Sequence, residues 1–514
     1  MAIKRQWRAT EDEGKVFPGL SYARTVLAPA YGNAKRQLLE PMIAIHKAHL
    51  IMLRERGLMR NENAQLTAKA LLGLDIHKLR SGTYTGKFED LFFEVEQQLL
   101  ELSAEASGNL HLARSRNDMG IAIYRIVLRE KLAATMDAAL ELHDALRRFA
   151  DKHAETIMIA HTHTQQAQPT TIGHYAAAVT DSLARDIRRL KSAYEGCNAS
   201  SMGAAALTTS GFAISRERVA ELLGFNSVIE NSYDAVSGAD YVGETASAVQ
   251  LAAIGLGRFA QELLLWCMQE FAVAKVAAPY VQISSIMPQK RNPVSVEHVR
   301  SLLSSAAGDA QTVLAMIHNT PFGDIVDTED DLQPYAWRSL STLEAVYGLL
   351  AKVIDTLEID KDVLRKRAYD SFATVTELAD TLVREEGLSF RLAHSIVSKF
   401  VAKAAERGER VRGLSLSSLK EAAAAAGLKQ PLKLSAEAFH LALDPERFVR
   451  IRTLRGGPAP EELRRALGEQ AKRQAEHRAW LEEEAQKQEA AMKALDDILT
   501  EWTAEKRAKS EKND

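Results

Sequence analysis

A nearly all-α fold built on a bundle of long helices is predicted by two observations. Only 13 prolines interrupt 514 residues, aromatics make up 6%, and Ala, Leu, Glu, Lys and Arg dominate, which is a helix-forming composition. Five segments, Ile121 to Glu155, Ile172 to Tyr194, Asp240 to Phe271, Val294 to Ile317 and Leu332 to Leu357, carry apolar residues at spacings of three and four. That period puts the apolar side chains of each segment on one face, and five such faces imply a bundle.

The length allows two or three domains, or one elongated multi-lobed unit, with ample material for a core. The two cysteines, Cys197 and Cys267, support neither a disulfide framework nor a cysteine metal site. The stretch MAIKRQWRATEDEGK has no apolar core of signal-peptide length, and no window reaches the roughly 20 uninterrupted apolar residues of a spanning helix. A soluble cytoplasmic protein with no membrane partner is expected. A net charge of −3 leaves no footprint for nucleic acid, so any anion handled must be held by local groups, which favours a small substrate.

The loop HLARSRND, 111–118, precedes the first long helix. Its arginines flank Ser115 and are followed by Asn117 and Asp118. Arginine grips carboxylates bidentately, so a dicarboxylate site is one reading. The other is a charged helix start, with Asn117 or Asp118 as cap and the arginines solvated.

The loop HTHTQQAQPTTIGH, 161–174, holds Thr162, His163 and Gln168. A histidine among hydroxyls and amides can move a proton near neutral pH; the alternative is an ordinary surface histidine. A third loop, SSMGAAALTTSG, spans 200–211. Segment Asp240 to Phe271 is apolar over a wide arc, including Val249, Leu251, Ile254 and Leu263. It suits a central helix or one packed on another subunit, with Gly255 and Gly257 permitting close approach, so oligomerisation is expected.

The densest collection of chemistry is Ile283-Ser-Ser-Ile-Met-Pro-Gln-Lys-Arg-Asn-Pro293, just ahead of a helix. A serine hydroxyl is a poor base, because its pKa lies far above that of usual biological bases. It becomes usable where Lys290 and a helix start stabilise the alkoxide. Lys290 and Asn292 can hold developing negative charge, and Pro293 suits the first helical position. Glu297, on the following helix, is a candidate to orient His163. A Ser/Pro/Asn turn capping the helix is the plainer reading, which leaves the Met-Pro-Gln-Lys run unexplained. No Gly-rich phosphate cradle and no HExxH or CxxC spacing occurs, so chemistry without cofactor or metal is expected. The tail after Gly456-Gly457-Pro458 is densely charged at helical spacing and reads as one or two solvated helices ending in a frayed terminus.

Together these segments resemble the fumarase/aspartase superfamily, whose signature loop has the form GSSxMPxKxNP, and most closely its argininosuccinate lyase branch. HLARSRND is similar to that branch's HTGRSRND, THTQQAQPTTIGH to its THLQRAQP segment, ENSYDAVSGADYVGE to ENSxDAVSxRDFVxE, SSIMPQKRNP to SSIMPQKKNP, and GGPAP near 456–460 to GGTAP. The resemblance spans roughly residues 20 to 465.

It implies an elongated three-domain all-α subunit: an N-terminal helical domain (1–115), a central long-helix domain (116–365), a C-terminal helical domain (366–460) and a charged helical tail (461–514). It implies a homotetramer with a twenty-helix core and active sites shared between three subunits. The implied reaction is anti elimination from an N-substituted aspartate, through an aci-carboxylate dianion, to fumarate and an amine, with no cofactor. Ser284 is then the catalytic base. His163 paired with Glu297, and Lys290, complete the catalytic set. Ser115, Arg116, Asn117, Thr162, Gln168, Ser285, Met287 and Asn292 fall on substrate-binding positions.

The departures concern the amine. Ala239 stands where the branch has Arg, Val294 where it has Asp, and Ile283 where the loop has Gly. Asp324-Ile-Val-Asp-Thr-Glu-Asp-Asp-Leu-Gln333 and the residues just before it replace YNKDLQEDKE, without the tyrosine and both lysines. The expected substrate is therefore an N-dicarboxyethyl amine, with argininosuccinate one candidate and a diamine- or iminodisuccinate-type compound another. A superfamily member acting on adenylosuccinate or carboxymuconate, suggested by Arg291, and a non-catalytic crystallin-like relative are the alternatives. The retained Ser284, Lys290, Asn292, His163 and Glu297 weigh against the crystallin.

Overall fold

The computed structural model describes residues 14–510, with side chains to residue 504. Most of the N-terminal stretch read for a signal peptide, and the last residues of the charged tail, lie outside the described residues.

The N-terminal part is helical, its longest helices being Leu39–Glu55, Asn61–Leu72 and Leu91–Ser103. Five long helices follow: α1 (Arg116–Lys152), α2 (Ile172–Cys197), α3 (Asp240–Cys267), α4 (Val294–Ile317) and α5 (Gln333–Asp355). Each lies within a few residues of its expected segment. They close into a ring, α1 on α2, α2 on α3, α3 on α4, α4 on α5, and α5 back on α1. The period explains the burial: along α5, Ala336, Leu340, Leu343, Tyr347, Leu350 and Ile354 recur at three and four and are all fully buried. On α1, Leu128, Leu132, Met136, Ala139 and Leu146 do the same. Burying a side chain of leucine size contributes about 2 kcal/mol, so these stripes outweigh propensity in setting the bundle.

Helix α3 is long and apolar enough, by length and composition, to cross a membrane. Its Ala246, Val249, Ala252, Ala260 and Leu263 face the bundle, whereas Leu251 and Ile254 on another face stay half exposed, as does Leu302 on α4. Of the two glycines expected to admit a neighbour, Gly257 has nothing within 4 Å of the place a side-chain carbon would take, and Gly255 has only Asp186 and Ser182 at 4.0 Å.

Strands are few and short. The segment read as a loop at 161–174 is instead mostly a hairpin, β1 (Ile157–Thr162) and β2 (Gln165–Thr171). Its base is buried through Ile157, Met158, Ile159, Thr170 and Thr171, β-branched residues apart from Met158, which suit a pleated surface. Gly173, at the start of α2, is obligatory, because a Cβ there would strike the Ala150 carbonyl and the Ala154 backbone at the end of α1. That contact brings the α1 and α2 ends together and aims the hairpin outward. Two residues of β3 (Gln282–Ile283) pair antiparallel with β4 (Arg291–Asn292) and close the Ser284 loop at its neck.

The residues between 378 and 443 bury an apolar cluster of their own, around Leu382, Ile396, Phe400 and Phe439, whereas the N-terminal helices share the bundle's core. The charged tail is one helix, α6 (Pro460–Ser510). Contrary to the solvated reading, it packs along α1, α2 and the N-terminal helices. Leu463, Leu467, Leu481, Leu495, Leu499 and Trp502 are buried there, spaced widely enough that the charges between them hid the stripe.

Candidate active site

Three groups of expected residues sit on three separate elements. The first is the start of α1. Ser115 is the helix cap, its Oγ accepting the Asn117 N–H at 3.3 Å while the Asp118 carboxylate accepts the Ser115 N–H at 2.9 Å. The cap is therefore neither Asn117 nor Asp118; of the two arginines Arg116 is exposed, whereas Arg114 is not solvated. Arg114 is buried and donates to His46 Nδ1 at 2.8 Å and to His111 Nδ1 at 3.2 Å. Accepting on Nδ1 requires both rings to be neutral there, and burial, with the Arg114 charge beside them, holds both well below the usual histidine range. Arg116 pairs with Asp90 at 2.5 Å and lies over the Phe93 ring.

Asp118 reaches further. Its carboxylate also accepts the Gly203 and Ala205 N–H groups at 2.8 and 3.0 Å, and its carbonyl accepts the Ser201 hydroxyl at 2.6 Å. Burial pushes its pKa up to about 6 against these hydrogen bonds. This one residue ties the 200–211 loop to the start of α1.

The rewritten 324–333 segment lies against the same helix start. Asn117 donates its amide to the Asp324 carboxylate, and Tyr124 donates its hydroxyl to Asp330 at 2.5 Å. Glu329 sits 3.8 Å from the space a side chain on Gly120 would fill. Burial and a hydrogen bond to Asp324 hold the Glu329 carboxyl well above the usual carboxylate range, so at neutral pH the pair shares a proton rather than carrying two charges.

The second group is the hairpin tip. His163 and Thr164 are its two turn residues, with φ of 51° and 62°. Both are left-handed, as a type I′ hairpin turn requires and non-glycine residues rarely adopt. His163 is exposed, and Thr162 pairs with Gln165 at the last rung. Gln168 donates to the Thr376 hydroxyl at 3.3 Å. His174 Nε2 donates to the Gly456 carbonyl at 3.0 Å while Nδ1 accepts from Thr170 at 2.8 Å, so the GGPAP motif braces the end of the hairpin segment.

The third group is the loop between β3 and β4. Ser284 Oγ accepts the Met287 and Ile286 N–H groups at 3.0 and 3.3 Å, setting a turn at the loop's start, and the Lys290 N–H returns to the Met287 carbonyl at 3.1 Å. Ser285, Met287 and Lys290 are exposed, Asn292 is half-buried, and Ile283 and Ile286 are about 80% exposed. Pro293 is the cap of α4 rather than its first residue, and Glu297 is exposed in the first turn.

Among the described residues no hydrogen bond or ion pair joins the three groups, and none joins His163 to Glu297 within the chain. No cluster of three or more His, Cys, Asp and Glu side chains is arranged to hold a metal among those residues. Sequence reasoning missed the anchoring by Asp118 and the burial of Arg114. The one signal for Asp118 was its place three residues after Ser115, the spacing of a capping box.

Comparison with known proteins follows the same division. A family model described as lyase matches residues 84–308, and one described as argininosuccinate lyase C-terminal matches 372–450. The chain is 41% identical over 455 residues to argininosuccinate lyase 2 of Agrobacterium fabrum, covering 88% of this chain and 90% of the relative. It is 36% identical over 447 residues to the argininosuccinate lyase of Methanosarcina barkeri, covering 86% and 88%. Among solved structures, an EDDS lyase in complex with formate superposes with a TM-score of 0.85 at 31% identity, covering 92% of this chain and 93% of that one.

Proposed function

The chain belongs to the argininosuccinate lyase family of fumarate-releasing carbon–nitrogen lyases, and from that premise we propose that it cleaves an N-substituted aspartate with Ser284 as base. The observation that carries the reading is the loop itself. Ser284 and Lys290 share one loop, Asn292 stands in the β4 strand that closes the loop at its neck, and the chain runs from there straight into α4.

The carbon next to a carboxylate is a weak acid, so its proton leaves only if the resulting dianion is stabilised as it forms. Lys290, Asn292 and the α4 start supply that stabilisation in this proposal, and Lys290 lowers the cost of the Ser284 alkoxide. Arg116, Asn117 and Ser115 bind the dicarboxylate with Thr162, Gln168, Ser285 and Met287, and His163, oriented by Glu297, handles the second proton. The proton removed and the departing amine lie on opposite faces. The carbon–nitrogen bond pair goes to nitrogen, which takes up a proton and leaves as the amine.

The separation of the three residue groups within one chain favours sites completed between subunits. The half-exposed Leu251, Ile254 and Leu302 on α3 and α4 favour a homotetramer in which four five-helix bundles make a twenty-helix core, with each site shared by three subunits. Domain limits near residues 115, 365 and 460, and a cytoplasmic location, belong to the same reading. On the amine side, loss of the branch's lysines and the presence of Asp324 and Glu329 disfavour an anionic leaving group. Incubating the purified protein with argininosuccinate, a diamine-derived N-dicarboxyethyl compound and iminodisuccinate, and following fumarate absorbance, tests it. Fumarate from at least one is expected; fumarate from none overturns the reading.

A further inference from the structure

We propose that Tyr233, Phe322 and Asp324 select the leaving amine, favouring one with an apolar body that carries a second positive charge. This inference rests on the lyase reading above and adds the chemical class of the amine.

The rings of Tyr233 and Phe322 stack with centroids 6.0 Å apart and planes 19° from parallel, yet remain 43% and 65% exposed. Stacking on each other leaves much of their apolar surface open, so the pair presents a ring face that a ligand can cover. The pair is also held in place. Asn231 caps the short helix that begins at Ser232, its Oδ1 accepting the Tyr233 N–H at 2.8 Å. Ser232 donates to the Leu207 carbonyl at 2.8 Å, on the loop that Asp118 fastens to the start of α1.

Gly323 joins the ring of Phe322 to the carboxylate of Asp324, with the Tyr233 hydroxyl 3.9 Å from where a side chain would begin. Asp324 in turn accepts the Asn117 amide, and Asn117 is one of the proposed dicarboxylate-binding residues. A rigid aromatic face and a carboxylate therefore stand together at the edge of the site where the dicarboxylate half would end and the amine half begin. The cation at this edge, Arg116, is already paired with Asp90. An anionic amine here would meet Asp324 with no compensating charge. An amine with an apolar body and a distal ammonium or guanidinium gains both ring contact and charge pairing.

The test is made on the full-length protein with two substrates, the N-(1,2-dicarboxyethyl) derivative of 1,4-diaminobutane and iminodisuccinate, whose amine half is acidic. Fumarate release gives kcat/KM for each. The wild-type ratio should favour the diamine derivative. Phe322→Ala and Asp324→Asn should each lower that ratio about tenfold, the scale of losing one ring face or one charge contact, while Tyr233→Phe, which keeps the ring, should preserve it. Tyr233→Ala serves in place of Phe322→Ala should the latter fail to fold. Fumarate from both substrates at a ratio that none of these variants moves overturns the inference and leaves the lyase reading standing. Fumarate from neither overturns the inference, and the lyase reading falls with it only where argininosuccinate gives none as well.

Discussion

The Asp118 carboxylate accepts the backbone N–H of Gly203 at 2.8 Å from inside the first turn of α1. With the Ala205 and Ser115 N–H groups it holds three donors at once, so the turn that presents Asn117 and the loop leading towards Tyr233 form one unit. Replacing Asp118 by Ala strands those donors in a buried place, at a cost of about 3 kcal/mol. Urea unfolding of the variant should show a loss of that size; a change below about 1 kcal/mol would mean that the carboxylate is not the anchor.

The Glu329–Asp324 pair gives a pH signature. In the folded protein Glu329 keeps its proton above the pH at which an unfolded glutamic acid releases it. The folded state therefore binds more protons over that range, and this group lowers stability progressively as pH rises above the ordinary glutamic acid value. Glu329→Gln removes the titration. Its melting temperature relative to wild type should rise between pH 5 and pH 8, measured by thermal unfolding at each pH; a difference that stays constant or falls contradicts the assignment.

Trp502 closes the far end of α6, 9% exposed, with the Arg54 guanidinium 3.9 Å from its ring centre. Trp502→Ala should cost about 3 kcal/mol and loosen the N-terminal helices, seen as faster amide exchange in Leu39–Glu55 and Asn61–Leu72. Unchanged exchange there would return the tail to the solvated helix its charge pattern suggested.

The five bundle helices were legible because an apolar stripe at three and four spacing can bury itself in only one way. The hairpin that carries His163 was not, since Gln165 to Thr171 shows no clean alternation and its register shifts between Ile159 and His161. The α6 contacts were hidden for the opposite reason: six buried apolar residues over some ten turns are too sparse a stripe to outweigh the charges around them. Family motifs located the site groups, but they could not reveal that Arg114 is buried among histidines or that Asp118 binds a loop 85 residues away. Such contacts depend on tertiary approach, which no local pattern encodes.

If each site is completed by more than one subunit, two inactive variants can repair each other. His163→Asn and Ser284→Ala proteins, mixed, partly unfolded and reassembled, should regain fumarate release that neither has alone. Two preparations that each fold and assemble, yet stay inactive after mixing, would place a complete site in each subunit.

The central claim is the role of Ser284, and it is tested most directly by the initial rate of fumarate release from the substrate the wild type cleaves best. Ser284→Ala should lower kcat at least about a thousandfold while circular dichroism and oligomeric size stay as in the wild type. A correctly assembled Ser284→Ala protein that releases fumarate at the wild-type rate would remove Ser284 as the base.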